Sequence, residues 1–553
     1  MTETVLVVGA GPTGLALATE LRRNGISCRI IDRAASRPAN QARALTMWDG
    51  AFDVLRRQGT AERIRAHGIP MTAARYFSRG KSVADVEFGP GSGNEAAPVI
   101  ITQPAVESVM IDHLGGLGVA VEWRTALASL DDRGDAVDVV LDHDGRTEEL
   151  TVSWVVGCDG AHSTVREAAG IAFEGSTYGR RFALGDGAIT APVPPGEAHY
   201  HLHPDGVLVV VPLPDGQVRV FADVSTTDST SEALSVAELQ AIADARAPYP
   251  IEIAELGWST KFLVHMGQAV RYRRGRCLLA GDAAHLHSPA GGQGLNTGIQ
   301  DAASLGWRLA TVIAGCTGAE ALLDSYESER SPIAREVVQA ADRQTKLWTV
   351  RSPVGRFARD LVLSGLSRSG LLEKRLVPTL AQHDLDYRSS PVVSEHGGRR
   401  ALGRALPEVA LIEAHDEAVE LRALLDGPDH VVVVLLDCDT VAGESARVRD
   451  IPRRIAEYGA GLRIVAIVSG GRVVEDLGVV ETFRAPDGYA PEQELVGSRL
   501  VLIRPDGYTV AAARDLDVTA LLARCPALPS AVASDRVAGS AGHEPPVPGV
   551  RPE

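Results

Sequence analysis

Lysine is nearly missing from this 553-residue chain: Lys81, Lys261, Lys346 and Lys374 are the only four, so 51 of the 55 basic residues are arginine. The 71 acidic residues outnumber the basic ones and set a formal net charge of −16. That balance argues against nucleic acid and anionic membranes as partners, since both select for basic patches. Cysteine is also sparse. The six (Cys28, Cys158, Cys277, Cys316, Cys438 and Cys525) are scattered without a C-x-x-C pair. A disulfide framework and a thiolate zinc cage are therefore not expected, and a reducing cytoplasm fits. The longest purely aliphatic run, 431–436, has the length of a strand, and no charged n-region precedes an apolar h-region. A membrane-spanning or secreted protein is not expected. The arginine, alanine, valine and glycine bias reads as a GC-rich coding genome rather than a functional signal. With 45% apolar residues over this length, two or three domains with substantial cores are expected.

The N-terminus carries chemistry. An apolar strand at 4–8 runs into Gly9-Ala10-Gly11-Pro12-Thr13-Gly14 and then a helical pattern through Leu21. This is G-x-G-x-x-G between strand and helix: the first glycine permits the turn, the second lets a pyrophosphate approach, and the third lets helix pack on strand. A second strand, 28–31, ends at Asp32, where a carboxylate takes ribose hydroxyls and repels a 2′-phosphate. FAD or NAD is thus favoured over NADP at this site. An ordinary glycine-rich α/β turn is the bland alternative.

Residues 275–296 read GRCLLAGDAAHLHSPAGGQGLN. A strand at 277–280 delivers Gly281 and Asp282, and a glycine-studded turn then opens a helix at Leu295-Asn296. A strand-end carboxylate suits a ribityl hydroxyl, and the amides of a helix start suit an anionic ring edge. Between the two motifs, residues 154–166 (WVVGCDGAHSTVR) form a strand, a turn and a helix start, with Ser163 placed as a cap.

Taken in order, these three motifs resemble the class A flavoprotein monooxygenases, the para-hydroxybenzoate hydroxylase family. The likeness continues through Gln300-Asp301-Ala302-Ala303 and residues 322–330 (LLDSYESER), about the first 345 residues in all. It implies bound FAD, held by Gly9, Gly11, Pro12, Thr13, Gly14, Asp32 and Arg33 at the ADP half. Asp159 and Gly160 would lie near the pyrophosphate and the reduction site, Gly281 and Asp282 at the ribityl chain, and Pro289, Gly292, Gly294, Leu295 and Asn296 along the isoalloxazine. Arg43, Leu45, Gln103 and Leu127 complete the implied cofactor contacts, and Arg43 is also the candidate for nicotinamide contact.

A single G-x-G-x-x-G leaves no separate nicotinamide domain, so NADPH or NADH would visit transiently as co-substrate; no sequence feature chooses between them. The family's chemistry with O₂ runs through a flavin hydroperoxide and usually hydroxylates a phenol. The expected activity is hydroxylation of an aromatic, polycyclic phenolic substrate, with Baeyer–Villiger insertion as the alternative. No W-x-W-x-I-P stretch supports a flavin halogenase, and a non-catalytic flavoprotein does not account for the first 345 residues. No general acid or base stands out.

The expected fold is α/β. A Rossmann-like FAD-binding domain spans 1–180 and 268–395, with a helical extension over 330–395 broken at Pro332, Pro353 and Pro378. An antiparallel β substrate domain over 181–267, plus about 72–100, is inserted into it as a roof. Candidate pocket walls are Trp48, Phe77, Tyr200, Trp258 and Met266. His199, His201 and His203 sit at period two on one strand face; a solvated face is favoured over a pocket wall, and a metal site is the least favoured. His285 and His287 read as packing beside the flavin motif. Residues 79–82 (RGKS) are not a P-loop, because position 75 is arginine. After a Gly/Arg joint at 397–400, alternating strands and helices over 398–528 resemble the thioredoxin-like domain that ends the longer aromatic hydroxylases. With Cys438 alone at its first strand–helix junction, a structural or dimer-facing role is expected, in a monomer or homodimer. Residues 529–553 lack periodicity and read as a disordered tail.

Overall fold

The computed structural model describes residues 4–37, 45–89, 97–224, 233–288, 292–316, 318–382, 385–394, 402–406, 410–412, 418–458, 462–469, 481–486, 497–525 and 528. Arg43, Pro289, the joint at 397–400 and the 529–553 tail lie outside the described residues. The chain forms two compact units, one of residues 1–307 and 326–386, the other of 308–325 and 387–553.

In the first unit a six-stranded sheet runs in the order Arg273–Arg274, Cys277–Leu279, Trp154–Gly157, Thr4–Val8, Ser27–Ile31, Val121–Glu122. The pairings from Cys277–Leu279 to Val121–Glu122 are all parallel, and only the short edge pair Arg273–Arg274 runs antiparallel. Strands covered on both faces read as unbroken apolar runs, as Val5, Leu6 and Val7 do at 0% exposure. The helix Pro12–Arg23 begins directly after the first strand, with Pro12 at its first turn where a missing N–H costs nothing. All four motif-bearing strands point their C-terminal ends the same way. The turns at Gly9, Asp32, Asp159 and Asp282 are thereby gathered along one edge, the usual place for a ligand in a parallel sheet.

The second sheet has eight strands, in the order His285–Leu286, Glu252–Ala269, Phe173–Thr190, Val218–Asp223, Gly206–Pro212, Glu197–His203, Ala73–Ser78, Lys81–Glu87. It starts at Phe173, earlier than 181, and it takes in the hairpin from 73 to 87. It is antiparallel except where Glu197–His203 pairs parallel with Ala73–Ser78. Both faces are covered. Val207, Val209 and Val211 face one apolar cluster; Leu208 and Val210 face the other, under the helix Val236–Arg246 with its Ser235/Glu238 capping box. Burial on both sides is the reason Gly206–Pro212 lacks the polar alternation of a half-exposed strand.

The helices Ala319–Trp348, Pro353–Arg368 and Leu371–Ala381 follow. Pro353 opens a helix, but Pro332 and Pro378 lie inside helices rather than breaking them. Beside the first of these, the Ser331 carbonyl accepts from the Gln268 side-chain amide (2.9 Å), which ties the sheet to the helix. No described helix is long and apolar enough to cross a membrane.

The second unit holds a seven-stranded sheet, ordered Ala418–Glu420, Ala410–Ile412, Glu481–Arg484, Arg463–Ser469, Val431–Asp437, Leu500–Ile503, Thr509–Ala513. Three central strands are parallel, the helix Cys438–Tyr458 linking two of them, and a terminal antiparallel hairpin completes a thioredoxin-like arrangement.

Candidate flavin and substrate site

The glycines of the first turn differ in what surrounds them. Gly9 has φ +103°, and a Cβ there would meet the Cys158 carbonyl oxygen at 2.4 Å. A Cβ on Gly14 would sit 1.9 Å from the Gly9 carbonyl oxygen. Gly11 alone has nothing within 4 Å of its Cβ position, and as N-cap it offers no side-chain acceptor to the helix amides behind it. An open, uncapped helix N-terminus is what a pyrophosphate requires. Thr13 wedges between Gly281 and Gly298, its Oγ1 lying 2.5 Å and 2.2 Å from the Cβ positions of those glycines. It seats the first helix on the Gly281 turn.

Asp32 accepts from the Ala10 and Ala34 amides, both at 2.8 Å, which fixes the carboxylate at its strand end with acceptor capacity left over. Arg33 is exposed, and Leu127 is buried in the three-stranded sheet of residues 125–152. Asp159 accepts from the Val165 amide (3.2 Å) through Oδ2, while its Oδ1 is buried with no partner among the described residues; burial holds this carboxyl's pKa above its ordinary value. Ser163 caps the next helix as expected.

A cleft of about 330 Å³ joins these parts. Gly11, Pro12, Thr13, Gln103, Gly160, Asp282, Gly292, Gly294 and Leu295 line it, and Phe262 to His265 of the eight-stranded sheet lie across it. The helix Gly294–Ala314 makes its first backbone bond from Thr297 to the Gln293 carbonyl (2.9 Å), so the amides of Gly294, Leu295 and Asn296 precede the helical ladder. The Asn296 side chain is committed elsewhere. It accepts from the Trp48 amide (2.8 Å) and donates to the carbonyls of Thr46 (2.9 Å) and Gly292 (2.8 Å), pinning the strand Thr46–Met47 to the helix start. His287 borders the cleft with its Nδ1 on the Ser288 carbonyl (2.9 Å) and a buried Nε2 that has no partner among the described residues; burial pulls its pKa down.

Beneath the Gly281 turn lies a charged cluster that sequence reading did not anticipate. Asp301 pairs with Arg330 (2.7 Å) and His285 (2.6 Å) and accepts from the Gly281 amide (3.2 Å), with all three side chains buried. Gln103 donates to Glu107 (2.8 Å), a buried carboxyl whose burial raises its pKa to about 7.

A second cavity, enclosing about 90 Å³, meets the cleft at Gly292. Leu45, Trp48, Tyr76, Phe88, Tyr200, Phe221 and Trp348 line it, with Arg219 and Gln344 as polar members. Tyr76 stacks on Tyr200 (4.7 Å, 14°), following the parallel register that pairs these two residues. Of the sequence candidates, Trp48 and Tyr200 line this cavity. Phe77 does not: strand alternation turns it to the opposite face, where it packs on His199 and His201. Trp258 and Met266 pack in the adjoining apolar cluster without lining the cavity.

Two of the three histidines on this strand face are buried rather than solvated, and His203 at its end is half-buried. His199 and His201 are 6% and 2% exposed, both hydrogen-bonded to the Tyr249 hydroxyl (2.9 Å each), and His199 also bonds Glu197 (3.0 Å). Burial lowers the His201 pKa to about 4. Two-sided cover of the sheet puts these rings inside.

The uncapped helix at Gly11, the orphaned Asp159 oxygen and the free amides at Gly294 all fit a dinucleotide and its ring. Residues 2–341 match the family model described as FAD binding domain. The chain is 32% identical over 541 residues to the 6-methylpretetramide 4-monooxygenase of Streptomyces rimosus, covering 95% of this chain and 93% of that protein. It is 33% identical over 466 residues to the rifampicin monooxygenase of Streptomyces venezuelae, covering 79% of this chain and 92% of the relative. The crystal structure of CabE, an aromatic hydroxylase from angucycline biosynthesis, is 28% identical and matches at a TM-score of 0.74 over 96% of this chain and 100% of that one. The chain belongs to the FAD-binding family of flavin-dependent aromatic monooxygenases.

Proposed function

We propose that this protein hydroxylates a polycyclic phenolic substrate, using FAD, O₂ and NADPH or NADH as a transient reductant. The observation that carries the reading is the aromatic cavity opening at Gly292 onto the cleft that suits the flavin ring. Stacked Tyr76 and Tyr200, with Trp48, Phe88 and Trp348 around them, favour a flat aromatic guest. The relatives are named for pretetramide and rifampicin, which supports a multi-ring substrate. Such a substrate exceeds about 90 Å³, so its binding displaces wall residues; Trp348, Leu376 and Leu380 come from the helical layer rather than the sheet.

Gly9, Gly11 and Gly14 would hold the pyrophosphate at the helix Pro12–Arg23, Asp32 the adenosine ribose, and Asp282 and Gln103 the ribityl side. The bound flavin supplies reducing equivalents and oxygen activation. The chain's own share is to orient the ring, exclude water with the sheet edge at Phe262 to Val264, and stabilise negative charge with the amides of Gly294 to Asn296. Family resemblance would put Asp159 near the pyrophosphate and assigns Arg43 to flavin and nicotinamide contact. Hydroxylation is favoured over Baeyer–Villiger insertion, since structural relatives are named as hydroxylases. The five cysteines whose side chains are described are free thiols, buried or half-buried, which suits work in a reducing cytoplasm.

The test is a yellow holoenzyme assayed with NADPH and NADH. A polycyclic phenol should accelerate nicotinamide oxidation and gain one ¹⁸O from ¹⁸O₂ with every ring intact. Label in a lactone, or no label, rejects the reading.

A further inference from the structure

Trp348 ends the helix Ala319–Trp348, lines the aromatic cavity and is 3% exposed, yet its indole Nε1–H is buried without an acceptor among the described residues. Buried N–H groups are nearly always paired, and an indole can only donate. Two of the cavity's other polar members, Arg219 and Gln344, are engaged. Asp186 grips Arg219 through two bonds (2.7 and 2.6 Å), and Gln344 hydrogen-bonds Tyr76. Trp348 therefore combines a place in the cavity lining with a donor that has no protein partner among the described residues, beside an engaged Arg219 and Gln344. Its ring also adjoins Tyr200 (5.3 Å, 40°), which stacks on Tyr76, so the donor stands beside an aromatic stack that fits a planar guest.

We propose that Trp348 is a specificity-determining residue whose Nε1–H donates to a ring carbonyl oxygen of the substrate, selecting quinone- or anthrone-type polycycles and fixing how their rings lie relative to Gly292. This rests on the polycyclic reading of the site. A donor-only group rewards an acceptor and gains nothing from a methylene at the same position.

The oxidised holoenzyme, titrated by its flavin absorbance, tests this with 2,6-dihydroxyanthraquinone and 2,6-dihydroxy-9,10-dihydroanthracene, which replaces the carbonyls by methylenes. The wild type is expected to bind the quinone about tenfold more tightly. Trp348→Phe, which keeps an aromatic ring, should erase that preference by weakening the quinone alone, with FAD content unchanged. Tyr200→Phe should preserve it. Equal weakening of both ligands in Trp348→Phe means that the indole acts by packing and overturns the proposal. So does a wild type without the preference, a result that needs no variant to fold. If the wild type binds neither compound, the polycyclic reading falls, and this inference with it.

Discussion

Arg330 Nε lies 2.7 Å from Asp301 Oδ1, with both side chains buried and 29 residues apart on successive helices. The other oxygen of Asp301 takes His285 Nε2 and the Gly281 amide, so one carboxylate holds the turn that presents Asp282. Burial alone would raise this carboxyl, but Arg330 and His285 outweigh it and hold the pKa below the usual range. The Asp301 carboxylate is satisfied only with all three donors in place. Removing one charge leaves another buried without compensation, which typically costs about 3–5 kcal/mol.

Asp301→Asn should accordingly lose stability of that order and release FAD, although Asp301 lies beneath the turn rather than in the cleft. Chemical denaturation of the apoprotein and flavin content after gel filtration measure the two effects. A variant with wild-type stability and full colour would show that the pair contributes little.

Gly11 and Gly14 should fail in different ways. Gly11 has φ −72° and open space, so Gly11→Val should fold and lose flavin, because its side chain fills the approach of the pyrophosphate. Gly14→Ala puts a methyl 1.9 Å from a carbonyl oxygen and should lower Tm in the apoprotein as well. Circular dichroism melts with and without added FAD separate the two. Full flavin retention in Gly11→Val would overturn the N-terminal assignment.

Asp282→Ala should leave the apoprotein fold intact, since this carboxylate is exposed to the cleft, while weakening FAD on the order of tenfold or more. Fluorescence titration of apoprotein with FAD reads it directly.

The two strand positions Tyr76 and Phe77 show where sequence reading stops. Each motif at a parallel strand end was legible, because glycine, strand and carboxylate fall at spacings that few other arrangements use. The phase of an isolated strand was not. Ala73–Ser78 is covered on both faces, so hydrophobicity cannot say which aromatic turns to the cavity, and a one-residue shift exchanges the faces. The parallel register with Tyr200 decides it, and that pairing spans 124 residues of sequence. The same reason hid Glu107, Trp348 and the Asp301 cluster, whose partners come together only in the fold. The Asp301 cluster left one signal: an acidic residue amid a long apolar helix and a matching arginine in the next. Tyr76→Ala should therefore raise substrate KM by about tenfold or more, and Phe77→Ala should reduce stability with KM little changed. The reverse pattern would restore Phe77 to the pocket.

Glu107 gives the pH prediction. The residue is 3% exposed, and burial raises its pKa to about 7 from 4.5, against the opposing Gln103 hydrogen bond. Between those values the folded state binds more protons than the unfolded state, so stability falls as pH rises through this window. A shift of this size corresponds to roughly 3 kcal/mol at most. Asp301 works in the opposite sense. Its depressed pKa supports stability above the ordinary carboxylate range, and that support is lost only when acid protonates it. Glu107→Gln keeps an oxygen for the Gln103 amide and removes the titration. The variant should equal the wild type near pH 4.5 and exceed it near pH 8, with the gap opening between pH 5 and 7. Urea midpoints of the apoprotein across that range check this, and parallel curves for the two proteins would mean that Glu107 titrates normally.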